Sequence, residues 1–95
     1  MKIKLSEQDK KNAEKALRLL NQESSCEIIF ETGDTSLLPD DYDKRSPDNI
    51  ILSVALKYKD ENPIMLTSDN GLQLKSKILG ITTISLKAFF RQLKH

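Results

Sequence analysis

The chain has 95 residues, of which 38% are apolar and 31% are charged, and its net charge is +1. This balance is typical of one small globular domain, 1–95; it argues against a disordered chain and against nucleic-acid binding driven by net charge alone. One cysteine, Cys26, cannot form an internal disulfide, and one histidine, His95, argues against a zinc site. Because the sequence has neither a signal-peptide core nor an apolar run of membrane-spanning length, we expect a cytoplasmic protein without membrane contact.

The first half of the sequence predicts a helix, a strand and a long loop. Apolar residues recur at helical spacing over 6–22, and Ser6 would cap this helix. The short stretch CEIIFE, residues 26–31, predicts a strand in which Cys26 is buried or half-buried. Residues 33–46 carry four aspartates and a proline without periodicity, which indicates a loop that is either functional or loosely ordered.

The second half predicts three helices and two strands in alternation, with serine or aspartate at the helix starts and glycine after one helix end. The predicted elements are a helix from Ser46 and Pro47 to near Lys59, a strand over 64–67, a helix from Asp69 or Asn70 to Leu79, a strand over 81–84, and a helix over 86–93 that Ser85 caps and that turns Phe89, Phe90 and Leu93 inward. Such alternation indicates a small three-layer α/β domain, with a parallel sheet of about three strands flanked by helices.

Two aspartates are predicted at one edge of this sheet. Ligand sites in parallel α/β sheets form beyond the carboxyl ends of the strands, and Asp69 follows its strand by two residues. Asp48 opens the preceding helix within reach of the same edge. Two carboxylates beside polar side chains could hold a hydrated Mg²⁺ or Mn²⁺. The alternative is that each aspartate only caps its helix.

The stretch SPDNIILSVALKYKDENPIMLTSDNGLQLKSKILGI, residues 46–81, resembles the C-terminal half of a PIN domain, a metal-dependent ribonuclease fold. The family often shows an acid that opens a helix, as in DNxIL..A, and then an apolar strand followed by T-x-D-x-x-L-x-x-K-A. The matching residues are Asp48, Asn49, Ile51, Leu52, Ala55, Thr67, Asp69, Leu72 and Lys75, while Ser76 replaces the family's alanine.

The resemblance implies roles for five of these residues. Asp48 and Asp69 would be catalytic residues and ligands of Mg²⁺ or Mn²⁺. Asn49, Thr67 and Lys75 would bind the substrate, with Lys75 positioning a phosphate or bracing the acids; the alternative for Lys75 is a solvated helix face. The implied activity is hydrolysis of RNA phosphodiester bonds, with single-stranded RNA as the expected ligand.

The nearest likeness is to the PIN module of PhoH-like proteins, in which a helix similar to KKNAEKALRLL precedes a strand, a long loop and the PDN motif. PIN domains begin with a strand that carries a first aspartate, followed by a glutamate, and both precede the matched region. We therefore expect a fragment that lacks the central strand and two of the four acids. Such a fragment would bind metal weakly, show little activity alone, and associate with the missing N-terminal half or with a second copy.

Two other functions stay open at this point. A PIN-like module without catalytic activity would mediate contact with protein or RNA. A receiver-like domain would accept a phosphoryl group on Asp69, although receivers have a longer alternation of elements and an early acidic pair that this sequence lacks.

Overall fold

A computed structural model describes residues 1–23, 25–31 and 33–92, and it confirms an α/β domain with a parallel sheet between helices. The strands are β1 (Lys2–Ser6), β2 (Glu27–Ile28), β3 (Ile64–Thr67) and β4 (Thr82–Ser85). The helices are α1 (Lys10–Asn21), α2 (Pro47–Lys57), α3 (Asn70–Ile78) and α4 (Leu86–Gln92). Short 3₁₀ turns cover Thr35–Leu37 and Lys59–Glu61. Leu93, which was predicted to turn inward, and His95 lie outside the described residues.

The sheet has four strands, in the order β2-β1-β3-β4, and all three pairings are parallel. β1 pairs with β3 from Ile3 opposite Ile64 to Ser6 opposite Thr67. The carboxyl ends of the two central strands therefore lie side by side at one edge of the sheet.

The expectation of a missing central strand is wrong, because β1 fills that position between β2 and β3. The stretch KIKLS alternates apolar and polar side chains, as a strand does, but its lysines disguise it as a polar terminus. Ile3 is buried, whereas Lys4 is only half-buried. A missing strand is therefore no longer a reason to expect a partner chain. Association with a second copy stays a prediction.

The predicted first helix began too early, at Ser6. α1 begins after Asp9, whose carboxylate accepts hydrogen bonds from the N–H groups of Lys11 at 2.9 Å and Asn12 at 3.3 Å. Ser6 instead ends β1. The strand predicted over 26–31 is also shorter, since β2 contains only Glu27–Ile28.

The elements that border the two aspartates are confirmed with small shifts. Pro47 is the first residue of α2, and β3 has the predicted bounds. Asp69 caps α3, and Gly80 has the left-handed φ of 78° expected after a helix end. Ser85 Oγ accepts a hydrogen bond from the N–H of Ala88 at 3.1 Å at the start of α4.

Two apolar clusters hold the three layers together, one on each face of the sheet. On one face α2 and α3 pack against β3, and the buried residues are Leu38, Leu52, Ala55, Met65, Leu72 and Ile81. On the other face α1 and α4 pack against β1 and β3, and the buried residues are Ile3, Ala16, Leu20, Leu66 and Leu86. Among the described helices, none is long and apolar enough to cross a membrane.

Candidate functional site

A cleft of about 500 Å³ lies at the carboxyl ends of β1 and β3. The end of β1 contributes Ser6 and Glu7, the end of β3 contributes 67–69, and the N-terminus of α2 contributes Pro47 and Asp48. The two aspartates predicted from the sequence therefore reach one cleft from different elements. Although they are distant in sequence, the parallel pairing of β1 with β3 and the packing of α2 over β1 bring both residues to this cleft.

Asp69 acts as the N-cap of α3. Its Oδ1 accepts a hydrogen bond from the N–H of Leu72 at 3.0 Å, and its own N–H donates to Oγ1 of Thr67 at 3.1 Å. These two bonds fix the residue at the mouth of the cleft, where it is exposed. Because the cap uses one carboxylate oxygen, capping and ligand binding are compatible roles for this side chain.

Asp48 is the second residue of α2 and is half-buried. Ser46 stands at the N-cap position, but its side chain makes no capping hydrogen bond. Negative charge in the first turn of a helix interacts favourably with the exposed backbone N–H groups. The fold thus gives Asp48 a structural reason for its place, in addition to its position in the cleft.

Thr67 lies in the cleft wall with 1% of its surface exposed. Its Oγ1 accepts the hydrogen bond from the N–H of Asp69, and its carbonyl oxygen accepts one from Nε2 of Gln73 at 3.3 Å. The threonine therefore positions Asp69, and a contact with substrate stays a prediction.

Asn49 and Lys75 meet each other outside the cleft. Asn49 is 4% exposed; its Nδ2 donates to the carbonyl oxygen of Asp43 at 2.9 Å, and its Oδ1 accepts from Nζ of Lys75 at 3.2 Å. They line a separate depression of about 240 Å³ with residues 41–43. The pair joins the long loop, α2 and α3, and a bracing of the acids by Lys75 stays a prediction. Substrate contact by either residue stays a prediction.

Sequence reasoning missed Glu7, which directly follows β1 in the cleft. Its Oε1 accepts a hydrogen bond from the N–H of Asp9 at 3.0 Å. Its Oε2 is buried and has no hydrogen-bond partner among the described residues. Recognition of β1 would have revealed this acid, because ligand sites follow the carboxyl ends of parallel strands.

Lys4 is a second residue that the sequence analysis missed. It pairs in register with the fully buried Met65, it lines the cleft, and it forms no ion pair within the described part of the chain. Burial lowers the pKa of its ammonium group below the ordinary value. One cation and three carboxylates thus line the same cleft.

The donor set fits a hydrated cation better than a directly enclosed one. Among residues 1–23, 25–31 and 33–92, no three Asp, Glu, His or Cys side chains converge closely enough to hold a metal ion together. Mg²⁺ usually keeps several waters and binds through one or two carboxylates. Asp48, Asp69 and the unsatisfied oxygen of Glu7 supply hard oxygen donors of this kind.

A different charged cluster lies at the opposite edge of the sheet. Nζ of Lys2 contacts Glu27 at 2.8 Å, which raises the pKa of Lys2 and lowers the pKa of Glu27. Glu31 accepts hydrogen bonds from Nζ of Lys57 at 2.6 Å and from the hydroxyl of Tyr58, and this contact raises the pKa of Lys57. Every member of this cluster is thereby paired, so it connects β1, β2 and α2 rather than forming a vacant ligand site.

Comparison with known proteins identifies a family. A family model described as a PIN domain matches residues 1–87, which include β1. No curated protein and no solved structure matches the chain. The family indicates a nuclease-like or RNA-related role, and its members generally use divalent metals. It gives no support to the receiver-like alternative.

Proposed function

Because the chain belongs to the PIN-domain family, we propose that it is a divalent-metal-dependent ribonuclease that hydrolyses phosphodiester bonds of single-stranded RNA. The observation that carries the proposal is that Asp48 and Asp69 line one cleft at the carboxyl ends of β1 and β3. Acids in such a position have the chemistry required for a hydrated Mg²⁺ or Mn²⁺.

The protein's own residues have two roles, to hold the cation and to position the residues that hold it. Asp48 and Asp69 hold the cation, and the hydrogen bond from the Asp69 N–H to Thr67 fixes the second carboxylate. The Asn49–Lys75 pair braces the N-terminus of α2 against α3, next to Asp48. When bound, Mg²⁺ or Mn²⁺ supplies water activation and stabilisation of charge on the phosphate. In hydrolysis, the water oxygen bonds to phosphorus, the bond from phosphorus to the departing ribose oxygen breaks, and that oxygen takes a proton.

The finer details also belong to this proposal. The likeness to a PhoH-like PIN module is supported by the order of α1, β2, the long loop and the PDN start of α2. Metal binding is expected to be weak, because no three acids converge within the described residues. A cytoplasmic location is supported by the single cysteine, which suits a reducing compartment. Asn49, Thr67 and Lys75 are proposed to contact substrate.

A PIN-like module that binds RNA or protein without cleavage is the second candidate. The same lack of three converging acids in the described part of the chain favours it. Both candidates use the same family assignment, and they differ only in whether the cleft supports hydrolysis.

Cleavage of a labelled single-stranded RNA with Mg²⁺ or Mn²⁺ tests the proposal. The unmodified chain should cleave, and Asp48→Asn and Asp69→Asn should each abolish cleavage without unfolding the domain. Asp9→Asn is the matched control, because Asp9 also caps a helix but does not line the cleft. RNA binding without metal-dependent cleavage would support the interaction module instead, and cleavage by both cleft variants would refute the ligand assignment.

A further inference from the structure

A groove of about 230 Å³ opens beside the cleft, on the β2 side of β1. β1 pairs with β2 only at Lys2 and Ile3, so residues 4–6 continue beyond the paired region. Lys4, Leu5 and Glu7 line both the groove and the cleft. The two depressions therefore share part of their walls at the end of β1.

Phe30 lines this groove, and 78% of its surface is exposed. Phe89 and Phe90 differ from it, because they are half-buried and pack against the cluster on the α1 and α4 face, as predicted. An exposed aromatic ring beside a groove offers a flat apolar face to a ligand. Nucleobases stack on such rings with little dependence on their identity.

Lys4 supplies a positive charge to the walls of both depressions. It lines both depressions and forms no ion pair within residues 1–23, 25–31 and 33–92. Among the described residues that line the groove, Glu7 is the acid, and it lies at the end shared with the cleft. The groove thus combines an aromatic surface, a cation and, at the end shared with the cleft, the carboxylate of Glu7.

We propose that Phe30 and Lys4 form a nucleotide-binding subsite for single-stranded RNA that continues the cleft. Phe30 stacks on a base, and Lys4 contacts a phosphate between that base and the cleft. The inference rests on the proposed RNA-directed function, and it names residues that neither the PDN motif nor the T-x-D motif contains. A protein strand is the less suitable occupant, since residues 4–6 leave only a short stretch of β1 for pairing.

Fluorescence gives a test that does not depend on cleavage. The chain has no tryptophan, so Phe30→Trp introduces a single fluorophore at the subsite. A ten-nucleotide oligoadenylate, added with EDTA to prevent cleavage, should quench its emission by stacking. Leu74→Trp is the matched control, because Leu74 is 61% exposed on α3 and lines neither depression. Its emission should not respond.

Affinity for the same oligonucleotide separates the two contacts. Phe30→Ala should raise Kd by about 5- to 150-fold, as expected for the loss of one base stack, whereas Leu74→Ala should change it less than twofold. Lys4→Met keeps the length and apolar stem of the side chain while it removes one phosphate contact. The slope of log Kd against log salt concentration should then fall by about 0.7.

An unchanged Kd in Phe30→Ala, with binding by the unmodified chain, would overturn this inference and leave the cleavage proposal intact. A Phe30→Ala variant that binds RNA normally but loses a dimer in light scattering would overturn it too, because the ring would then be a self-association surface. Absence of cleavage in the presence of Mg²⁺, with the Phe30 and Lys4 effects on binding retained, would contradict the ribonuclease proposal alone.

Discussion

Replacement of Asp69 separates its role as a helix cap from its role as a metal ligand. Asp69→Ala removes the hydrogen bond from the Leu72 N–H to Oδ1, which measures 3.0 Å. Loss of an N-cap side chain typically costs about 1 kcal/mol, within a range of about 0.5–2 kcal/mol. For a domain of this size, that loss lowers the melting temperature by roughly 4–8 °C. Asp69→Asn keeps a capping oxygen, so its melting temperature without metal should stay close to that of the unmodified chain.

Asp9 provides the matched cap outside the cleft. Its carboxylate accepts hydrogen bonds from two N–H groups at the start of α1, and Asp9→Ala should lower the melting temperature by a similar amount. Added metal then distinguishes the two positions. At a concentration ten times its Kd, a ligand stabilises the folded state by about 1.4 kcal/mol, or roughly 6–11 °C for this size.

Melting curves recorded with increasing Mn²⁺ should therefore fall into two groups. The unmodified chain and Asp9→Ala should both gain the metal-dependent rise, because their cleft carboxylates are intact. Asp69→Ala and Asp69→Asn should lose most of it. If Asp69→Asn kept the full rise, the ligand assignment would be wrong, and if Asp69→Ala melted like the unmodified chain without metal, the capping argument would fail.

Three further predictions concern the fold. A Cβ added at Gly33 would come closer than van der Waals contact to the carbonyl oxygen of Ile50 and to Oγ of Ser53. Gly33→Ala should therefore lower the free energy of unfolding by about 1–3 kcal/mol, as measured by urea unfolding. An unchanged unfolding midpoint would contradict this close approach of Gly33 to α2. Lys2 lowers the pKa of Glu27 from its ordinary value of 4.5, so their pairing stabilises the fold above about pH 4.5 and is lost as the pH falls below it. The stability difference between the unmodified chain and Lys2→Met should accordingly shrink on acidification, and a constant difference down to pH 3 would refute this assignment. The outer edges of β2 and β4 have no partner strand among the described residues, so we predict self-association at high concentration; a clean monomer in size-exclusion chromatography with light scattering would count against it.

The region from α2 to α3 could be predicted well from local chemistry. Pro47 fits the first position of a helix, Asp69 fits an N-cap, and Gly80 adopts the left-handed conformation that few other residues tolerate. Ser76, which replaces the family's alanine, is fully buried and donates a hydrogen bond from Oγ to the carbonyl oxygen of Leu72 at 2.8 Å. The small side chain is therefore accommodated without an unsatisfied hydroxyl.

The parts that sequence reasoning missed depend on contacts between distant residues. KIKLS becomes a strand because β3 pairs with it and buries Ile3, and its short alternation of apolar and polar residues is a weak local signal beside its lysines. Glu7 could not be assigned to the site from the sequence, because the strand that it follows was not predicted. The hydrogen bond between Asn49 and Lys75 likewise depends on how α2 and α3 pack together. The location of Asp48 and Asp69 in one cleft was easier to predict, because helix and strand alternation in a parallel sheet brings both residues to one edge.

The pairing of Ile3 with Ile64 also has a consequence for how the domain folds. β1 cannot reach its β3 partner until most of the chain between them is available, and such non-local pairing slows folding. Until then, the backbone of β1 presents an open hydrogen-bonding edge to other chains. Lys2 and Lys4 alternate with Ile3 and Leu5 along this edge, and charged residues in such positions oppose intermolecular strand pairing. The lysines that make the strand hard to recognise in the sequence thus oppose aggregation of β1 before it pairs with β3.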